Sequence, residues 1–326
     1  MRLMALLLAM VVALFAASLL VGPAKVSVAD SLSALFTGDK GPLTLVMREI
    51  RLPRAILAAM IGASLGLAGA AMQGYLRNPL AEPGLIGVSG SAALGAVLAI
   101  HTGLSATFAL GLPLAALTGA FLGVVLVMSL AGPRGTSLTL ILAGIAISAL
   151  AAAITSFVLN LSPNPFAANE IVFWMMGSLT DRSMTHVWLA LPFMALGFAA
   201  LARLGRGLDA LTLGEDAALA MGIRVDRLRL QLVIGTACVV GAGTAVAGAI
   251  GFVGLVIPHI LRPLVGAHPS RLLWASALGG AAMLLAADIA VRVVLPGRDL
   301  KLGVLTALVG APLFLHLILK LRRERI

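Results

Sequence analysis

The chain has 326 residues, of which 60% are hydrophobic and 11% charged, and its mean hydropathy of +1.09 leaves too little polar surface to cover a water-soluble core. These values exclude a soluble domain and describe an all-α, polytopic membrane protein folded as one unit over residues 1–326. The formal charge of +10 sits at the ends of apolar runs, which suits anchoring beside anionic membrane lipid; with no basic segment interleaved with aromatics, nucleic acid is not expected as a partner.

Taken in order, Arg2 precedes an apolar stretch of about 18 residues, long for a signal-peptide core. Val21-Gly22-Pro23 is a poor cleavage site, so a retained first helix is predicted. Residues 22–50 are mixed in polarity and read as a loop. Arg51-Leu-Pro-Arg54 then opens a second run to Tyr75, whose Gly62, Gly66, Gly69 and Gly74 would let neighbouring backbones approach closely. The turn Arg77 to Gly84 holds two prolines, and its backbone must face water or a protein-lined cavity. A third run ends near Ile100; Gly87, Gly90 and Gly95 predict a short or irregular helix there. Spans 106–131 and 138–159, joined by a tight connection, are expected as antiparallel neighbours. Residues 160–185 read as an amphipathic loop with Trp174 at the membrane interface, and 189–204 as a sixth span.

Gly207 to Arg229 is the one long polar interruption deep in the chain and reads as a loop carrying a short helix. Gly214 fits an N-cap, Glu215 and Asp216 suit the positive end of a helix, and Gly222 supplies a stop. A helix of two turns is marginal alone, so Ala217, Ala218, Leu219 and Met221 predict an apolar side packed on something else, either a second protein or an ordinary loop environment. A seventh span follows over 230–250. Gly251 to Val265, with Pro258 and Pro263, leaves about ten helical residues, roughly 15 Å or half the hydrocarbon thickness, so a partial helix lining a cavity is expected. Spans 272–295 and 303–319 bring the expected number to ten.

The single cysteine, Cys238, lies in an apolar run and reads as packing, and the histidines show no metal-ligand spacing. No lysine stands in a GxxxxGK[ST] context, so the chain is not expected to hydrolyse ATP. The positive-inside bias places both termini in the cytoplasm with Arg203, Arg206, Arg224, Arg227, Arg229 and the basic tail Lys320, Arg322, Arg323 and Arg325. It leaves Arg51, Arg54, Arg292, Arg298 and Lys301 outside, against the bias. Shifting the chain by 173 residues lays Arg51-Leu-Pro-Arg54 on Arg224-Val-Asp-Arg227 and Ile61-Gly62 on Ile234-Gly235. Helices 2–5 and 7–10 are therefore read as an inverted repeat, the architecture of a transporter. On this evidence alone an ion-coupled secondary transporter with Asp288 as its proton site is an equal alternative.

The motifs RLPR at 51–54, RNPLAEPGLIGVSGSAALGA from Arg77, LGEDAALAMGI at 213–223 and GAIGFVGLVIPHILRPLVG from Gly248 resemble the membrane permease of ABC importers for iron-siderophores, cobalamin and haem, over essentially the full length. The resemblance implies a bacterial inner-membrane homodimer. Each subunit would sit on a separate cytoplasmic ATPase that binds ATP and magnesium, and a periplasmic substrate-binding protein would dock outside. It implies that Glu215, Asp216, Ala217, Ala218, Leu219, Met221 and Gly222 form the helix that couples to the ATPase. Arg51, Arg54 and Arg292 would receive the binding protein, and Asn78, Leu80, Thr136 and Ser137 would close the cytoplasmic end of the path. The residues allow plainer readings too: Arg292 lies one helical turn after Asp288 and pairs with it easily, and Arg51 and Arg54 suit snorkelling at a helix end.

Overall fold

Apolar runs in a membrane must satisfy their backbone hydrogen bonds internally, and these runs do so as helices. The computed structural model describes residues 2–22, 27–36, 41–132, 135–162, 164–294 and 300–323. Arg298 and Arg325, and the side chains of Lys320, Arg322 and Arg323, lie outside the described residues.

The helices are α1 (Arg2–Leu20), α2 (Val28–Phe36), α3 (Pro42–Tyr75), α4 (Val88–His101), α5 (Gly111–Ala131), α6 (Ser137–Asn160), α7 (Pro165–Met175) and α8 (Met184–Ala202). They continue as α9 (Gly205–Leu211), α10 (Glu215–Ala220), α11 (Val225–Ala247), α12 (Val253–Leu261), α13 (Pro269–Val294) and α14 (Leu302–Arg323). Every expected span falls on a helix. Seven of them, α1, α3, α5, α6, α8, α11 and α13, are long and apolar enough to cross a membrane among the described residues, whereas α4, α12 and the apolar part of α14 are shorter.

Three boundaries differ from expectation. The segment 22–50, expected as a loop, holds α2 and the first turns of α3, which runs through a π-helical turn at Val46–Arg51 before Pro53. Proline clashes with the carbonyl four residues earlier, and a widened turn accommodates it without ending the helix. The amphipathic stretch after Asn160 contains α7, in which Trp174 is buried and its carbonyl lies close to Gly248. The polar interruption is also shorter than Gly207–Arg229: Leu208 and Leu211 are buried in α9, and Asp226, Arg227 and Arg229 already belong to α11.

The centre is the crossing of α3 and α13. A Cβ on Gly66 would stand 1.9 Å from the carbonyl oxygen of Ser276, and one on Gly62 2.3 Å from that of Gly280. Backbone-to-backbone contact of this kind is what small residues permit in a membrane helix pair, where dispersion rather than the hydrophobic effect drives association. Gly95 and Gly119 make the same approach between α4 and α5.

The two halves exchange places in the packing: α3 rests on α13 and α11 on α5, while α4 lies on α11 and α12 on α3. Direction is inverted as well. Arg54 of α3 meets Asp288 near the C-terminal end of α13, while Arg229 near the N-terminus of α11 meets Gly132 and Gly135 at the opposite end of the molecule. The shift of 173 residues holds only for the first helix pair, since Val88 and Val253, which open α4 and α12, are 165 apart. Unequal connections remove the constant register while leaving the arrangement.

Candidate functional site

At one end of the bundle Arg54 and Arg292 meet on Asp288 and Arg51 lines the same cavity, the three arginines that the family resemblance groups. Asp288 is 0% exposed. Its Oδ1 accepts from Arg54 Nε at 2.8 Å, and its Oδ2 lies 2.9 Å from Arg292 Nη2, one turn along α13. Arg292 also donates to the carbonyls of Ser18 and Val21 and to Ser18 Oγ. Arg51, 4% exposed, donates from Nη1 to the carbonyls of Leu19 and Leu20. The last turn of α1 therefore has its orphan carbonyls capped by arginines from two other helices. A cavity of about 240 Å³ opens beside the three guanidinium groups, between Val21, Gly22, Val46 and Ile50. Both carboxylate oxygens of Asp288 are thus taken by arginines.

In the middle of the bundle the two short helices begin. α4 starts at Gly87, whose φ of 76° suits glycine, and α12 starts after Phe252, a bulky residue held at φ 67°. α4 runs toward the arginine end and α12 runs the other way. The Phe252 N–H donates to Glu82 Oε1 at 2.9 Å, so a carboxylate from the turn before α4 caps the start of α12 across 170 residues of sequence. Toward the other end, Arg262 Nη2 donates to Gln73 Oε1 at 2.7 Å and Gln73 Nε2 donates to Leu255 O at 3.2 Å. The sequence reading singles out none of Glu82, Gln73 and Arg262 as a site. For Gln73 and Arg262 the available signal is an isolated polar group inside an apolar run, which Glu82, in a polar turn, lacks.

At the far end lie the residues expected to form the gate and the coupling element. Asn78 is exposed, and its Oδ1 accepts from Leu80 N at 2.9 Å, a local turn. Thr136 caps α6 by accepting from Thr139 N at 3.3 Å, and Ser137 is hydrogen-bonded to the Tyr75 side chain. Tyr75 lies within electrostatic reach of Arg229, Glu215 and Asp226, which places α10 and the Tyr75–Ser137 contact at the same end. In α10, Gly214 has φ 107° and Gly222 φ 81°, conformations that only glycine adopts without strain, and these fix both ends of the helix. Ala218 is buried on the bundle. Leu219 and Met221 are 55% and 62% exposed, beside exposed Glu215 and Asp216. Ala217, expected on the apolar side, is half-buried next to Ala218, unlike the two acids.

A short helix thus offers apolar side chains outward at one end, an arginine cluster stands at the other, and two short helices of opposite direction begin between them. The model of the FecCD transport family matches residues 9–320. The chain belongs to the FecCD transport family. Relatives of this FecCD chain include the uncharacterized ABC transporter permease YvrB of Bacillus subtilis, 39% identical over 88% of this chain and 82% of that one. The cobalamin import permease BtuC of Halobacterium salinarum is 40% identical over 84% and 73%, and the Fe(3+) dicitrate permease FecD of Escherichia coli 37% over 85% and 86%. A solved structure described as an inward-facing conformation of a metal-chelate type ABC transporter has a TM-score of 0.87 at 33% identity, covering 98% of this chain and 99% of that one. PsaBC from Streptococcus pneumoniae, at 16% identity and a TM-score of 0.55 over 89% and 94%, shares the fold. The FecCD chain is thus a multi-pass membrane permease of an ABC importer, and ATP hydrolysis belongs to a separate ATPase subunit. That assignment sets aside ion-coupled transport through Asp288.

Proposed function

We propose that the chain is one half of a homodimeric permease that carries a metal chelate from outside to the cytoplasm, with a ferric siderophore the first candidate and cobalamin or haem next. The named cargoes of BtuC and FecD and the metal-chelate description of the structural relative support that class. Both termini and α10 face the cytoplasm of a bacterial inner membrane in this reading. The arginine end meets a periplasmic binding protein, and ATP with magnesium is bound by the partner ATPase alone.

The observation that carries the reading is α10 itself: six residues fixed by two positive-φ glycines, with Leu219 and Met221 turned away from the bundle. Exposed apolar side chains on a rigid two-turn element are what a cleft in a soluble partner would bury. Closure of the ATPase pair around nucleotide then moves α10. α9, which packs on both α10 and α13, carries the motion into the bundle. Nucleotide shifts the permease only by as much as it favours one state over the other. Asn78, Leu80, Thr136 and Ser137 lie at this end and close the path when α10 returns. Replacing Leu219 and Met221 together by Asp tests the reading: the variant should assemble in the membrane but lose its ATPase on co-purification, and retention at wild-type yield would refute it.

A carboxylate of the binding protein would reach the arginine end by competing with Asp288 and with the carbonyls of α1. Arg54, whose recorded hydrogen bond uses Nε, is the arginine best placed to accept one. Charge reversal at Arg54 should weaken docking in a salt-dependent way, and docking that does not change would remove the assignment.

A further inference from the structure

Lipid covers the whole belt of a membrane bundle, but one cleft in this belt is shaped and charged for a particular class of lipid. It lies between α1, α3 and α13, with Phe198 of α8 on its flank, and measures about 580 Å³. Its walls are almost wholly apolar: Met4, Leu8, Met60, Ala63, Trp274 and Ala281. Alanines on α3 and α13 make the depression, and Leu8 and Trp274 remain about half exposed at its rim. From Met4 to Val11 the cleft runs roughly 10 Å along α1, about two-thirds of one leaflet.

The charge is at one end only. α1 and α13 run parallel, since Ser18 meets Arg292, and α8 runs against them, since the Gly205 that follows it meets Ser270. The starts of α1 and α13 and the finish of α8 therefore coincide, and each carries an exposed arginine there: Arg2, Arg271 and Arg203. Arg271 precedes Trp274 by three residues, on the same helix face. Neither of the two ion pairs found among the described residues uses these arginines. Asp209, a carboxylate beside the start of α13, already accepts from Ser270 N at 2.9 Å. Phe198 and Trp274 meet edge to face with centroids 6.0 Å apart, holding the indole at the mouth, where an aromatic with one polar atom belongs.

We propose that this cleft binds one acyl chain of an anionic phospholipid whose phosphate is held by Arg203 and Arg271, with Arg2 adding to the field. Guanidinium groups pair with phosphate in bidentate fashion, and a zwitterionic headgroup brings an ammonium that offsets the attraction. The inference needs only the membrane setting, so it stands or falls independently of the cargo and partners proposed above.

Native mass spectrometry of the full chain released from detergent, titrated with phosphatidylglycerol or phosphatidylcholine of identical chains, tests it. Wild type should retain one phosphatidylglycerol per chain about tenfold more tightly than phosphatidylcholine, from about fivefold per engaged basic residue partly offset by screening. Arg203→Gln with Arg271→Gln should bring the two lipids level; both positions are exposed and the variant should fold. Ala63→Phe, which fills the cleft, should weaken both lipids alike. Equal retention of the two lipids by wild type, or unchanged selectivity in the double arginine variant, would overturn the proposal.

Discussion

The two ends of this permease solve opposite problems. At the arginine end, three guanidinium groups and one carboxylate are turned inward and satisfied by each other and by the last turn of α1. At the α10 end, the backbone is fixed by glycines while Leu219 and Met221 face outward with nothing to pack on. A partner at the first end must break existing bonds, so its affinity is a difference between two sets of charge-assisted contacts. At the second end it gains buried apolar area directly. The α10 end should therefore hold a partner through contact area and the arginine end through electrostatics that salt can loosen.

The largest effect should come from the scaffold that keeps the ends apart. Gly66→Leu would drive a side chain into the Ser276 carbonyl, and because that obstacle is backbone, no rotamer relieves it. The folded permease should fail to accumulate, read by size-exclusion of detergent extracts. Next is Asp288→Asn, which leaves Arg54 and Arg292 without their counter-charge and should destabilise the chain by about 3 to 5 kcal/mol in thermal unfolding. Glu82→Ala removes the acceptor for Phe252 N and should cost about 1 to 3 kcal/mol. A loss as large as that of Asp288→Asn would mean that Glu82 has a further role. Thr136→Ala, which strips the cap from α6, should cost about 1 kcal/mol.

Much of this contrast is legible in the sequence where it depends on local chemistry. Gly214 and Gly222 bound α10 because positive φ is a property of single residues. Pro258 and Pro263 likewise announce a helix too short to cross. What depends on distant partners is not legible. Arg51 and Arg292 read as outward-facing because nothing near them in sequence shows that the carbonyls of α1 will receive them. α9 reads as loop because its seven residues hold two glycines and an acid, yet Gly205 and Asp209 are the contacts that seat it on Ser270. Glu82 looks like an ordinary turn residue between prolines until the fold brings Phe252 beside it.

The most direct test uses a permease in which Cys238 is replaced by Ala and one cysteine is placed at either end. Leu219→Cys should cross-link to the ATPase subunit through a short bismaleimide, while Glu49→Cys, exposed at the arginine end, should not. Cross-linking of the ATPase at position 49 and none at 219 would contradict the account.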